Sequence, residues 1–190
     1  VWTLPNCLSF ARIAVIPILV YLLTFPDPKS ALMAAFLFLG ATLTDYLDGY
    51  LARRHRTVSD LGKILDPLAD KLMVVATLIM LVAMDRPDEP SVPGWIVVLI
   101  VAREVAVTVI RGIALTEGII MEAEELGKFK FLLQAVAVFS LLVHYPYWSV
   151  DFYAIGIYLL VVAMIMGLWS GVNYHLKFFR LWQRRRDTVN

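Results

Sequence analysis

The chain has 190 residues, 60% of them hydrophobic and only 17% charged, with a mean hydropathy of +0.74. Soluble domains carry about a quarter charged residues, so this composition belongs to the membrane class. The net charge of +1 offers no broad basic field for a nucleic acid, and Cys7, the single cysteine, excludes an intrachain disulfide.

Six apolar stretches follow in chain order, roughly 8–25, 31–52, 67–84, 93–115, 129–145 and 152–176. They predict an all-α integral membrane protein, with six transmembrane helices in one bundle and a single domain over residues 1–190. The first stretch is too long for the apolar part of a signal peptide and carries Arg12 inside it, so it reads as a span. Pro26-Asp27-Pro28-Lys29, Arg53–Lys63, Asp85–Pro93, Glu117–Lys128 and Tyr145–Asp151 break the runs with turn and charge signals. Lys and Arg favour the cytoplasmic side. The second connection holds Arg53, Arg54, Arg56 and Lys63, the fourth ends in Lys128 and Lys130, and the tail holds Lys177, Arg180, Arg184, Arg185 and Arg186. Both termini and the even-numbered connections are therefore expected in the cytoplasm.

The most unusual residues sit around the second connection. Asp45, Asp48, Gly49, Ala52 and Arg53 are followed by Gly62, Asp66 and Asp70, a spacing of D-x2-D-G-x2-A-R-x8-G-x3-D-x3-D. A carboxylate at membrane depth needs a partner charge, water or a metal. Asp45 and Asp48 share one helix face, as do Asp66 and Asp70. Antiparallel neighbours joined by a short connection would bring the two faces together. Such a set would gather about four negative charges, which two divalent cations would neutralise. Pro67 disfavours helical dihedrals at Asp66, so Asp66 is expected as an N-cap or at a kink. Gly49, Ala52 and Gly62 keep the surface shallow enough for a nucleotide, and Arg53 can fork onto phosphate. Read as chemistry, this is a metal-loaded pyrophosphate site. One Asp near a helix end is ordinarily a cap; two pairs with this intervening pattern are not.

A second group of charges lies outside that pattern. Arg103, Glu104 and Arg111 fall inside the fourth apolar stretch, Lys128 and Lys130 open the fifth, and Lys71 follows Asp70. Buried basic residues at this depth suggest an anion pocket made of Arg103, Arg111, Lys128 and Lys130, suited to an acceptor that itself carries phosphate. The plainer reading pairs Arg103 with Glu104 or a motif aspartate and lets the lysines reach for the membrane surface.

The D-x2-D-G-x2-A-R-x8-G-x3-D-x3-D pattern matches the signature of the CDP-alcohol phosphotransferase family, which the chain resembles over nearly its whole length. That resemblance implies a six-helix membrane enzyme. It implies two divalent cations, Mg2+ or Mn2+, on Asp45, Asp48, Asp66 and Asp70, with Asp70 also the general base. It places Asp48, Gly49, Ala52, Arg53 and Gly62 at the CDP-lipid. Pro5–Arg12, Leu65–Lys71, Ala102–Glu104 with Arg111, and Leu126–Lys130 are similar to the bacterial branch that uses glycerol 3-phosphate as acceptor. Cys7 and Ser9 depart from the commoner residues there. The expected reaction moves the phosphatidyl group of CDP-diacylglycerol to glycerol 3-phosphate and releases CMP, in the bacterial inner membrane with the site facing the cytoplasm. Inositol phosphate, serine or another phospholipid are competing acceptors, and a divalent-cation transporter is the competing class. A transporter would need neither the small residues at these steps nor a CDP-lipid. Gly167 and Gly171 form a G-x-x-x-G step that lets a helix approach closely, either from the same chain or from a second copy. The family resemblance implies a homodimer among membrane lipid, each protomer carrying its own metal site.

Overall fold

The structure is a computed structural model. It describes the backbone of residues 4–25, 27–55, 60–84, 91–119, 121, 125–145 and 149–189, and within these all side chains except those of 4–9, 45–55, 60–68, 70, 125–128 and 186–189. Six helices follow in order: α1 (Leu4–Leu23), α2 (Pro28–His55), α3 (Asp60–Ala83), α4 (Gly94–Thr116), α5 (Glu125–Val143) and α6 (Phe152–Val189). No strand occurs among the described residues. By length and composition, Phe152–Arg185 is the one described helix clearly able to cross a membrane; Phe10–Leu23, Pro28–Thr44, Lys71–Ala83 and Phe129–Val143 are shorter apolar helices.

Local chemistry sets several helix ends. The Asp27 carboxylate accepts a hydrogen bond from the Ser30 amide at 3.0 Å, with Pro28 at the first helical position of α2. Asp151 does the same for Ala154 at 2.8 Å at the start of α6. α4 ends on Gly118 at φ +64°, where the Ile119 amide reaches Ala114 at 2.8 Å and the Gly118 amide reaches Leu115 at 3.1 Å. These bonds satisfy carbonyls that the helix end would otherwise leave open.

Two boundaries differ from the expectation. α3 starts at Asp60, so Asp66 lies inside the helix and does not cap it. α6 runs on to Val189, so the basic tail is helical. Gln and Arg are good helix formers, and the tail packs on α4.

α1 packs against both α2 and α3, α2 against α5, α5 against α6, α6 against α4, and α4 against α3. The helices therefore form a closed ring in the order α1, α2, α5, α6, α4, α3, with α3 and α5 also in contact across it. Among the described residues, α2 and α3 are linked mainly through α1; the carboxylate faces expected to meet lie outside the described side chains. Phe38, Met73, Leu78, Leu81, Leu141 and Leu160 belong to one shared core and are all at most 2% exposed. Gly156 lets α6 come close to α5: a Cβ there would lie 2.6 Å from Leu141 Cγ and 3.0 Å from its backbone nitrogen.

Candidate functional site

Both carboxylate pairs stand on regular helix, Asp45 and Asp48 in α2 and Asp66 and Asp70 in α3. The side chains of Asp45, Asp48, Asp66, Asp70, Ala52, Arg53 and Lys128, and the surroundings of Gly49 and Gly62, lie outside the described residues. Among the described residues no group of three or more His, Cys, Asp or Glu gathers as a metal site. Two described neighbours bear on the carboxylate helices. Ala69, between Asp66 and Asp70, is fully buried, and Arg12 is 5% exposed on α1, the helix that touches both α2 and α3.

The second charge group is described in detail and has a hub that the sequence reading did not assign. Glu104 Oε1 lies 2.6 Å from Arg103 Nη1 and accepts a hydrogen bond from Lys130 Nζ. Lys71 Nζ stands 4.0 Å from Glu104 Oε2. Lys71 also donates to the Thr108 hydroxyl, which donates to the Glu104 carbonyl at 2.6 Å. Among the described residues, three cations from α3, α4 and α5 thus surround one carboxylate, a surplus of two positive charges in a half-buried site. Lys130 is 7% exposed and points inward, so it does not reach for the membrane surface. A cavity of about 190 Å³ opens between α3, α4 and α5, with Lys71, Glu104, Lys130 and Gln134 on its polar wall and Val74 and Ile100 on its apolar one.

Arg103 is held from the far side by α6. Its Nε donates to the Gly167 carbonyl at 2.9 Å and its Nη2 to the Ser170 hydroxyl at 3.4 Å. A Cβ on Gly171 would lie 3.2 Å from Arg103 Cγ, and a Cβ on Gly167 would lie 3.5 Å from Lys130 Cδ. The G-x-x-x-G step is therefore filled by side chains of α4 and α5 from the same chain, and its close approach serves an arginine. The signal that could have found this was available: two glycines one turn apart facing an apolar run that contains an arginine.

Arg111 is exposed, with its guanidinium carbon 5.8 Å from the centre of the Tyr174 ring, within cation–π range. Eight residues of helix separate it from Arg103, roughly 12 Å along the axis, so the structure brings Arg103 and Lys130 together and leaves Arg111 farther along α4. Gly118 marks the end of that helix.

The sequence matches the CDP-alcohol phosphatidyltransferase family over residues 2–169. It is 38% identical over 188 residues to a CDP-diacylglycerol–glycerol-3-phosphate 3-phosphatidyltransferase of Bacillus subtilis (strain 168), covering 93% of this chain and 95% of that protein. A protein of the same name from Rickettsia bellii (strain RML369-C) is 36% identical over 173 residues, covering 90% and 92%. A cardiolipin synthase (CMP-forming) of Oryza sativa subsp. japonica is 34% identical over 194 residues, covering 94% of this chain and 58% of that protein. With a match across most of its length and relatives aligned from end to end, the chain belongs to the CDP-alcohol phosphatidyltransferase family.

Proposed function

We propose that the chain transfers the phosphatidyl group of CDP-diacylglycerol to glycerol 3-phosphate, giving phosphatidylglycerophosphate and CMP. The observation that carries the acceptor assignment is the cation cluster around Glu104. Its surplus of two positive charges among the described residues matches a phosphomonoester, which is close to a dianion at neutral pH. Serine is a zwitterion and a phospholipid diester a monoanion, so neither matches that surplus. Desolvated charge-assisted hydrogen bonds from Arg103 and Lys130 would fix the phosphate and leave the acceptor hydroxyl directed toward the donor. The names borne by the Bacillus and Rickettsia relatives agree with this choice.

On the donor side, Asp45, Asp48, Asp66 and Asp70 would hold two divalent cations, Mg2+ or Mn2+. Four carboxylates with no thiol or imidazole among them are a hard-oxygen donor set suited to such ions. When bound, the ions offset charge on the pyrophosphate and on departing CMP. Gly49, Ala52 and Gly62 leave room for the nucleotide, and Asp48 and Arg53 contact the CDP-lipid. Asp70 accepts the proton of the acceptor hydroxyl. That oxygen bonds to the phosphorus carrying diacylglycerol, the bond from this phosphorus to the bridging oxygen breaks, and CMP leaves.

The membrane reading extends to all six helices, which would cross the bacterial inner membrane with the carboxylate end in the cytoplasm. Large apolar side chains are exposed on every helix, among them Tyr21, Phe36, Ile79, Val98, Leu132 and Trp169. Soluble monomers rarely expose so much apolar surface. In a homodimer each protomer would carry a whole site, because α2 and α3 of one chain hold all four carboxylates.

The test is CMP release from CDP-diacylglycerol with Mg2+ or Mn2+ and each acceptor in turn: glycerol 3-phosphate, inositol phosphate, serine and phosphatidylglycerol. Glycerol 3-phosphate should be the best acceptor, and Asn at any of the four aspartates should nearly abolish release. A better rate with inositol phosphate or phosphatidylglycerol would overturn the acceptor assignment. Full activity in the presence of EDTA would overturn the metal site.

A further inference from the structure

The basic end of α6 takes no part in the chemistry above. α6 has 38 residues, roughly 57 Å of helix against a hydrocarbon layer of about 30 Å. Ile165, Trp169, Val172 and Leu176 recur every three or four residues as an exposed apolar stripe. Lys177 follows directly. On the proposed placement of α6 as a span, on which this inference rests, the helix leaves the apolar layer at that point.

Beyond Leu176 the helix is fixed by one face. Phe178 packs with Ala114 and Ile119 at the end of α4, and Leu181 and Trp182 pack against them. Arg185 lies over Gly118, its Nη1 3.3 Å from where a Gly118 Cβ would be. A different face carries Asn173, Lys177, Arg180 and Arg184, spaced by four, three and four residues. The three cations are exposed, and with Leu176 and Leu181 these residues line an open groove of about 470 Å³. No acidic residue occurs in the sequence between Asp151 and Asp187, so Lys177 and Arg180 have no acidic neighbour within one turn of α6.

We propose that this groove binds the phosphate headgroup of an anionic phospholipid, with the acyl chains lying along the Trp169–Val172–Leu176 stripe. Charge selects the headgroup, and the continuous apolar stripe selects a lipid over a free phosphate. Basic residues placed just cytoplasmic of a span draw anionic lipid in this way.

The test uses the full chain with Trp169 as its only tryptophan, the others replaced by Phe, in phosphatidylcholine vesicles. Small fractions of brominated phosphatidylserine or brominated phosphatidylcholine are then added. Trp169 quenching should show association of the anionic lipid several-fold to about tenfold stronger than that of the zwitterionic one. The preference should weaken with salt, survive added inorganic phosphate, vanish in Lys177→Gln/Arg180→Gln/Arg184→Gln and persist in Lys177→Arg/Arg180→Lys/Arg184→Lys. Equal quenching by the two lipids, or a preference kept by the Gln variant, overturns the proposal. So does competition by inorganic phosphate, or a Gln variant that changes only the oligomeric state. Absence of quenching by either lipid would instead refute the membrane placement of α6.

Discussion

Gly171→Ala should weaken acceptor handling far more than Gly167→Ala, although the two glycines sit one turn apart. A Cβ added at Gly171 would meet Arg103 Cγ at 3.2 Å and Nε at 3.5 Å, whereas one added at Gly167 finds nothing nearer than Lys130 Cδ at 3.5 Å. An ordinary carbon–carbon contact is about 3.5–4.0 Å, so Arg103 must withdraw by about half an ångström. Its Nε bond to the Gly167 carbonyl, now 2.9 Å, would then stretch to about 3.4 Å, at the edge of a hydrogen bond. A bond to a charged group contributes about 1.5–3 kcal/mol. Losing most of it corresponds to about 1–2 kcal/mol, or roughly five- to thirtyfold in kcat/KM. The assay is initial CMP release with glycerol 3-phosphate varied at saturating CDP-diacylglycerol, then the reverse. The loss should appear in the KM for glycerol 3-phosphate, with the protein still folded in detergent. An equal loss for both substrates, or a Gly167→Ala variant worse than Gly171→Ala, would refute the view that α6 seats Arg103.

Three further outcomes follow from described contacts. Gly156→Ala places a Cβ against Leu141 with no room to yield at the backbone, and should destabilise the protein by about 1–3 kcal/mol in thermal or denaturant unfolding in micelles; unchanged unfolding would show that α5 and α6 can part there without loss. The hydrogen bonds that Ser30 donates hold Asp27 below its ordinary value of 3.8. A depressed carboxyl stabilises the folded state above that ordinary value and loses the effect as pH falls through its lower folded value. The melting-temperature gap between wild type and Asp27→Ala should therefore narrow below about pH 4, and a gap that widens on acidification contradicts the cap. Cysteine placed at Lys29 and at Arg184, on a Cys7→Ser background, should be labelled from opposite faces of the membrane; labelling of both from one face excludes the six-span arrangement.

The six helices were legible because each apolar run is long enough to form one, and every run contains one. Their ends were less legible. Asp60, Gly62, Lys63, Asp66 and Pro67 interrupt the apolar run, which hides the helical spacing of Leu61, Ile64, Leu65 and Leu68 at the start of α3. The packing of the α6 tail was not legible because its partners, Ala114 and Ile119, lie about sixty residues earlier in the chain. The ring order was not legible for the same reason, since contacts such as α2 with α5 are non-local. In the second charge group, Arg103 and Lys130 stood out as charges within apolar runs, and the structure brings them together on Glu104. Arg111 shares a helix face with Arg103 but not a position along the axis, which spacing on one face does not reveal. Gly167 and Gly171 announced a close approach without stating what approaches.

The ring also sets the order in which the halves of the molecule become complete. α1, α2 and α3 are consecutive, and α1 can clasp both carboxylate-bearing helices as soon as the third has left the ribosome. Domains begin to fold from the N-terminus during synthesis. The other half is different: Arg103 and Lys130 are made early, but the carbonyl of Gly167 and the hydroxyl of Ser170 that seat Arg103 arrive with the last helix. A nascent chain therefore carries its carboxylate-bearing helices well before Arg103 can be seated. The final helix acts as a closing key, and an interrupted polypeptide lacking it has no means of seating that arginine.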